Sequence, residues 1–243
     1  ALNAGSDMDM ESYAYEEHLE NLLKENKISI AQIDDAVKRV LRVKFRLGLF
    51  DDPYKYCDED REKNDVYTKE HLALARDVAK KSIVLLKNQN KLLPLSKTIK
   101  SIAVIGPLAD DKDSPLGNWR GMGEYNSAVS LLEGVKNAVG KNTKIYYEEG
   151  GAITIPTIKP GDNQFLFPLK FNDTDVSGIP AAVEAAKKAE VVLLAIGENA
   201  YQSGEGRSQT NIGFFGVQQQ LLEAVYKVNK NVVIVLMNGR PMD

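Results

Sequence analysis

Residues 191–228 read VVLLAIGENAYQSGEGRSQTNIGFFGVQQQLLEAVYKV, and this stretch decides the fold. Its first six residues, VVLLAI, form a continuous apolar run that is typical of a strand buried on both faces. Residues 217–228 carry the spacing of apolar side chains that favours a helix. About 20 residues rich in Gly, Ser, Asn and Gln separate the two elements, where roughly two to six are usual. We name residues 197–216 the Glu205 loop, and its length marks it as a candidate functional segment.

Apolar strands and helical patterns alternate throughout the second half of the chain. The pattern predicts strands at 101–107, 143–149, 191–198 and 231–237, and helices near 129–139, 178–189 and 217–228. Such an alternation indicates an α/β fold with a mostly parallel sheet that is sandwiched by helices. Residues 150–177 fit neither period and are interpreted as an insertion.

The first part of the chain has a different pattern. SIAQIDDAVKRVLRVKFRL, residues 29–47, is the clearest helix. Ser29 and Gln32 have the spacing of a capping box, and Gly48 is placed to end the helix. The stretch at 51–67 combines turn residues with a run of charges, which is typical of a linker.

Composition argues against several classes of protein. The 243 residues are 43% hydrophobic and 27% charged with a formal net charge of -3, which is ordinary for a soluble domain. We expect no nucleic-acid partner, because no long Lys/Arg block is present, and no membrane span, because no apolar run approaches roughly 18 residues. One cysteine and two histidines argue against a Cys/His zinc site, so neither a metal nor a cofactor is predicted.

A second long connection follows the strand at 101–105. Residues 106–130, GPLADDKDSPLGNWRGMGEYNSAVS, hold the only tryptophan, Trp119, beside Arg120, and we name them the Trp119 loop. In open parallel sheets ligands bind beyond the carboxyl ends of the strands, so both loops are predicted to emerge at one edge. An indole can pack on a pyranose ring while polar groups bind its hydroxyls. The two loops therefore indicate a carbohydrate-directed site.

The residues themselves leave other interpretations open. Glu198 directly follows a buried strand, which favours a structural hydrogen-bonding role, and a glutamate in a glycine-rich loop, such as Glu205, is often only solvated. Trp119 would more often belong partly to a core. GxGxxG, GxxxxGK[ST] and GxSxG motifs are all missing from the sequence, so neither a phosphate cradle nor a nucleophilic serine is supported.

Taken in order, several stretches resemble glycoside hydrolase family 3, particularly its periplasmic β-glucosidase type. They are AGSDMDM (4–10), IDDAVKRVLRVKFRLGLFDDPY (33–54), ARDVAKKSIVLLKNQNKLLPL (75–95), IAVIGPLAD (102–110), GNWRGMG (117–123) and VLMNGRP (235–241). The resemblance implies that residues 1–50 are the C-terminal end of a TIM-like catalytic barrel, that 51–67 are a linker, and that 68–243 are most of an α/β sandwich domain. The chain is accordingly expected to be a piece of a longer protein.

The resemblance also implies an activity, which is hydrolysis of terminal β-D-glucosides or related β-glycosides with retention, without a cofactor. On this basis Glu205, in an SGE motif, is the acid/base, and Trp119 borders the leaving-group subsite. Arg120 and Arg207 are expected to bind substrate as well. The expected substrate is an oligosaccharide or an aryl β-glucoside, and the expected location is periplasmic or secreted.

The nucleophile implied by the resemblance is an aspartate in an SDW-like motif of the barrel, upstream of Ala1. The isolated chain is therefore predicted to be inactive. Ser6-Asp7-Met8 mimics that motif, but it aligns with a later segment of the family pattern, so Asp7 is a false candidate. The rest of the barrel is the expected intramolecular partner.

The Glu205 loop departs from the family pattern just beyond the glutamate. Relatives usually read GExxSRT, whereas here Gln209 stands in place of the arginine and an arginine occurs earlier, at 207. Phe215 stands where relatives have a proline before the helix. These changes keep a second class open, in which the chain is a non-catalytic carbohydrate-binding or interaction module with the same fold.

Overall fold

The computed structural model describes residues 1–89, 91–155 and 168–243. Of the predicted insertion at 150–177, residues 156–167 lie outside this described part. The chain divides into two compact units, Ala1–Leu85 and Leu86–Asp243. Among the described residues, no helix combines the length and the apolar character that crossing a membrane requires.

The first unit is built from helices. After a 3₁₀ turn at Leu2–Ala4 come α1 (Ala14–Lys24), α2 (Ile30–Arg46), α3 (Glu59–Asp65) and α4 (Lys69–Ser82). The predicted capping box at the start of α2 is confirmed, since the Ser29 side chain accepts from the Gln32 amide and the Gln32 side chain accepts from the Ser29 amide. Gly48 follows the end of α2 with a φ of 73°, as its predicted capping position requires.

Asp7 is ion-paired with α2. Nε of Arg39 lies 2.8 Å from each carboxylate oxygen of Asp7. This hydrogen bond, together with the positive charge of Arg39, lowers the pKa of Asp7 and outweighs the opposing effect of burial. The contact gives Asp7 a structural role within its own unit.

A short helix, α3, lies inside the predicted linker. Its N-terminus is capped by the Asp58 side chain, which accepts from the Arg61 amide at 2.9 Å. Three acidic residues occupy the first turn, where the positive end of the helix favours them. The charge run has no apolar stripe, so periodicity did not predict this helix, and capping and local charge stabilise it instead.

The second unit is built on a four-stranded sheet in its described part. The strands are β1 (Ser101–Ile105), β2 (Lys144–Glu148), β3 (Val191–Gly197) and β4 (Val232–Met237), in the spatial order β2-β1-β3-β4. All three pairings are parallel. Helices α5 (Leu131–Ala138), α6 (Ile179–Lys188) and α7 (Gln218–Val228) connect the strands. The predicted α/β class is confirmed, and these strands and helices match the predicted ones closely.

Alternate side chains of β3 enter two separate cores. On one face Val192, Leu194 and Ile196 pack with residues of β1, α6 and α7, among them Ala103, Ile105, Ala182, Ala186, Leu221 and Val225. On the other face Val191, Leu193 and Ala195 pack with Ile102 and Val104 of β1, with Leu108, and with Leu132 of α5. Because helices cover both faces, β3 is buried along its whole length and its sequence is uniformly apolar.

Glycines at the ends of β1 and β3 let neighbouring backbones approach closely. Gly106 has a φ of 120°, and a β-carbon there would lie 2.0 Å from the carbonyl oxygen of Ala195. Gly197 has a φ of 139°, and a β-carbon there would lie 1.9 Å from the carbonyl oxygen of Met237. Only glycine fits either position, so both long loops begin at a glycine pressed against the next strand.

Two valines of α7 provide a matched test of this core. Val225 is fully buried, whereas Val228 on the same helix is 37% exposed. We expect Val225→Ala to lower the free energy of unfolding by about 2 kcal/mol, because two methyl groups leave the core and a cavity remains. Val228→Ala should cost clearly less. Urea-induced unfolding measures both, and equal losses would contradict the described packing of α7.

Candidate functional site

The Glu205 loop and the Trp119 loop meet at the carboxyl edge of the sheet, as predicted, since β1 and β3 are direct parallel neighbours. The Ser114 hydroxyl accepts from the Ala200 amide at 3.1 Å and donates to the Asp111 carboxylate. Gly204 packs so closely on Asn118 that a β-carbon would lie 1.6 Å from its side-chain nitrogen. The two loops therefore form one continuous surface.

Gln218 holds the two ends of the Glu205 loop together. This side chain is fully buried in the first turn of α7. Its Oε1 accepts from the Gly197 amide at 2.8 Å, and its Nε2 donates to the carbonyls of Gly197 and Phe215, each at 2.9 Å. One amide group thus closes the base of the loop.

Glu198 is anchored in a buried ion pair. Its side chain is 2% exposed, and its two carboxylate oxygens lie 3.0 and 3.1 Å from Nε of Arg240. Its backbone amide donates to the Met237 carbonyl at 2.8 Å. A buried carboxylate is stable only when it is paired and hydrogen-bonded. These contacts support the structural role that the sequence favours for Glu198.

The Arg240 guanidinium also reaches the backbone further along the loop. Its Nη2 donates to the carbonyl of Gln202. The carbonyl oxygen of Arg207 lies 3.4 Å from both Nη1 and Nη2, at the long end of the hydrogen-bond range. These two carbonyls lie on either side of Glu205 in the sequence, so one guanidinium spans the segment that carries it.

Glu205 is presented on the exposed part of the loop. Its side chain is exposed, and its neighbours Gly204 and Gly206 have φ values of 111° and 69°. The Arg207 amide donates to the Gly204 carbonyl at 3.2 Å, which closes a turn around the glutamate. Of the two carboxylates in the loop, Glu205 is therefore the one that a ligand can reach.

Trp119 and Arg120 differ sharply in exposure. Trp119 is 68% exposed, whereas the Arg120 side chain is only 10% exposed. Arg120 forms an ion pair with Asp113, and its Cζ lies 4.1 Å from the centroid of the Tyr125 ring. It also hydrogen-bonds to Tyr201 of the Glu205 loop. Arg120 is thus a link between the two loops.

The surroundings of Arg120 and Tyr201 keep both of these side chains protonated. Burial disfavours the charge on Arg120, but the hydrogen bond and the negative charge of Asp113 outweigh that effect and raise the pKa of Arg120. Burial, together with the Asp113 carboxylate, raises the pKa of Tyr201. At neutral pH Arg120 is therefore a cation and Tyr201 a neutral phenol.

The positions that depart from the family pattern are integrated into the loop. Arg207 is half-buried, and its carbonyl faces Arg240. Gln209 is also half-buried. Phe215 stacks on Phe171, with ring centroids 4.4 Å apart and an interplanar angle of 26°. This aromatic stacking packs the end of the loop without the proline.

Comparison with known proteins decides the family. Residues 83–243 match the model of the glycosyl hydrolase family 3 C-terminal domain. The chain belongs to glycosyl hydrolase family 3. The resemblance inferred from the sequence motifs is thereby confirmed.

Several glycosidases match this chain from end to end. A periplasmic β-glucosidase of Salmonella typhimurium is 40% identical over 100% of this chain and 32% of its own length. A β-xylosidase of Formosa agariphila is 36% identical over 99% of this chain and 32% of its own length. The solved β-glucosidase of Listeria innocua in complex with isofagomine superposes with a TM-score of 0.81, at 32% identity over 99% of this chain and 30% of that one. The chain thus spans about a third of the length of these curated relatives.

Sequence reasoning did not find the residues that hold the two loops. Arg240 lies in VLMNGRP, a motif that carries the resemblance but to which no role was assigned. Gln218 precedes Leu221 and Val225 at helical spacing, so it falls on the buried stripe of α7. A glutamine on an apolar stripe must find hydrogen-bond partners, and this signal was available in the sequence. No comparable local signal marks Arg240.

Gln218 and its neighbour Gln219 provide a second matched test. Gln218→Met keeps the approximate shape but leaves the Gly197 amide and two carbonyls without their partner, so we expect a loss of about 3 kcal/mol in unfolding free energy. Gln219 is exposed and bonds only to Glu223 among the contacts described, so Gln219→Met should cost less than about 0.5 kcal/mol. Urea-induced unfolding would measure both values. Similar values for the two variants would disprove the assigned role of Gln218.

Proposed function

We propose that this chain is part of a retaining glycoside hydrolase that cleaves terminal β-D-glucosides, or related β-glycosides, by double displacement. Membership of family 3 and the β-glucosidase and β-xylosidase relatives support the substrate class. One observation carries the proposed role of this chain. Glu198 is taken up by a buried ion pair with Arg240, whereas Glu205 in the same loop is exposed.

We assign Glu205 as the acid/base. In the first step its protonated carboxyl donates a proton to the glycosidic oxygen while a second carboxylate attacks the anomeric carbon. In the second step the Glu205 carboxylate takes a proton from a water molecule that attacks the anomeric carbon, which breaks the bond to the second carboxylate and releases the sugar. Retention requires the two carboxyls to lie roughly 5 Å apart. By resemblance, the nucleophile is an aspartate of the barrel.

The build of the loop suits this assignment. Its base is held by Gln218 and its start by the Glu198–Arg240 ion pair, so only the middle of the loop projects. Glu205 lies in that middle part, between two glycines. A short turn would leave a carboxyl at the strand end, whereas this length carries it beyond the edge of its own sheet.

We propose that Trp119 is a platform at the leaving-group subsite, and its 68% exposure supports this role. Direct substrate binding by Arg120 stays a prediction, because its contacts with Asp113 and Tyr201 support a linking role between the loops. Direct substrate binding by Arg207 also stays a prediction. Its position two residues beyond Glu205 supports it.

We also propose the predicted domain organisation, with a barrel end at 1–50, a linker at 51–67 and a sandwich domain at 68–243. The compact second unit begins at Leu86 and the family match begins at residue 83, so the start at 68 stays a prediction. The periplasmic relative supports a periplasmic or secreted location for the enzyme.

Glu205→Ala in the full-length enzyme tests the assignment. Hydrolysis of alkyl glucosides should fall by about 10²- to 10⁴-fold, because their leaving group needs the proton. Dinitrophenyl glucosides need no proton and should still form the glycosyl-enzyme. Azide should then release that intermediate as the β-glycosyl azide, since azide attacks without a general base. Steady-state kinetics over a series of leaving groups and product analysis give the result.

Glu223→Ala serves as the control, because Glu223 is an exposed glutamate on α7. It should leave the kinetics unchanged. Unchanged turnover of every substrate by Glu205→Ala would refute the assignment. A wild-type protein that binds glycosides without any turnover would instead favour the non-catalytic module.

A further inference from the structure

We propose that Arg240 is a positioning residue for the acid/base carboxyl, and that it acts through the backbone of the Glu205 loop. This inference rests on the proposed role of Glu205. It concerns how the carboxyl is held in place, which depends on contacts between the end of β4 and the loop after β3.

The guanidinium is itself fixed before it meets the loop. Its Nε faces both oxygens of Glu198, whose side chain is 2% exposed. β3 and β4 pair in parallel up to Gly197 and Met237, so Glu198 and Arg240 follow the same end of adjacent strands. The ion pair therefore orients the planar group from one side and leaves Nη1 and Nη2 for other acceptors.

The two remaining nitrogens face the backbone on both sides of Glu205. Nη2 donates to the Gln202 carbonyl, and the Arg207 carbonyl lies 3.4 Å from both nitrogens. The five donors of a guanidinium lie in one plane, so a single arginine can hold two carbonyls at a set separation. Arg240 thus holds both ends of the segment 202–207, which carries Glu205.

Close packing also holds the segment 202–207 against the residues that follow β4. A β-carbon at Gly239, next to Arg240, would lie 2.8 Å from Oγ of Ser203. The start of the segment 202–207 therefore lies directly against the residues that follow β4. Lysine at position 240 could keep the charge opposite Glu198, but its single ammonium group lacks the planar fork that holds both carbonyls.

Glu205 needs this support because its neighbours are flexible residues. Gly204 and Gly206 have no β-carbon to restrict their backbone angles, so the position of the carboxyl between them depends on contacts that hold the loop, such as the packing of Gly204 on Asn118 and the Arg207–Gly204 hydrogen bond. Once the Gln202 and Arg207 carbonyls are released from Arg240, the segment 202–207 samples other conformations. The Glu205 carboxyl is then less often near the glycosidic oxygen. A displacement of about 1 Å can cost about 10²-fold in rate.

The test uses Arg240→Lys in the full-length enzyme. We expect kcat for alkyl glucosides to fall by about 10²-fold, with KM little changed, because the proton donor is displaced while the sugar still binds. The kcat/KM for dinitrophenyl glucosides, which reports only formation of the glycosyl-enzyme, should change far less, so that kcat/KM depends more steeply on the leaving-group pKa. A merely structural role would lower the rates for all leaving groups alike, and that result would overturn the proposal.

Asn229→Ala is the matched control for lost stability. Asn229 also bridges two backbone carbonyls, those of Ala186 and Ala189 at 2.9 and 2.8 Å, but it precedes β4 at the opposite end of the sheet. It should lower the thermal midpoint without steepening the leaving-group dependence. If Asn229→Ala steepens that dependence as strongly, destabilisation accounts for the effect and the proposal fails.

Two further variants keep the test decisive. If Arg240→Lys does not fold, Glu198→Gln removes the charge that orients the guanidinium and should steepen the same dependence, and a flat response would refute the proposal. Glu205→Ala is measured in parallel. If it leaves all rates unchanged, the proposed function itself is wrong, whereas a selective effect of Glu205→Ala without one for Arg240→Lys overturns only the positioning role.

Discussion

Every residue of β3 is buried, because helices pack on both faces of the sheet at this strand. Such a strand has no room for polar side chains, so polar chemistry begins only where the strand ends, at Gly197. The same holds for the neighbouring β1, which ends at Gly106. The burial of these two strands therefore determines that the polar loops lie side by side at one edge.

A long polar loop at that edge must satisfy its backbone groups without a ladder of its own. Side chains from other elements provide the partners, namely Gln218 from α7, Arg240 from the segment after β4 and Ser114 from the Trp119 loop. These contacts leave the middle of the loop, with Glu205, free of the sheet. General acid/base catalysis requires a carboxyl within hydrogen-bond reach of the reacting group, and the role proposed for Glu205 rests on its exposure in this part of the loop.

The predictable features rest on local or periodic signals. The strands follow from continuous apolar runs, and the capping box at Ser29 and Gln32 follows from its spacing. The different environments of Glu198 and Glu205 could also be predicted from their positions. Glu198 directly follows a buried strand, whereas Glu205 lies in a glycine-rich segment. The short helix α3 was not predicted, because it depends on capping by Asp58 and on charge rather than on an apolar stripe.

The sequence by itself determined the fold class, the family and the two loops that carry the candidate site, because apolar periodicity and motif order are properties of the linear chain. Only the tertiary structure decided which groups hold the loops. Gln218 meets Gly197 across 21 residues of sequence, and Arg240 meets Glu198 across 42. No pattern along the chain encodes such pairs. The first arises when α7 packs on β3, and the second when parallel pairing brings the ends of β3 and β4 together. The exposure of Glu205 and the burial of Glu198 follow from that same packing.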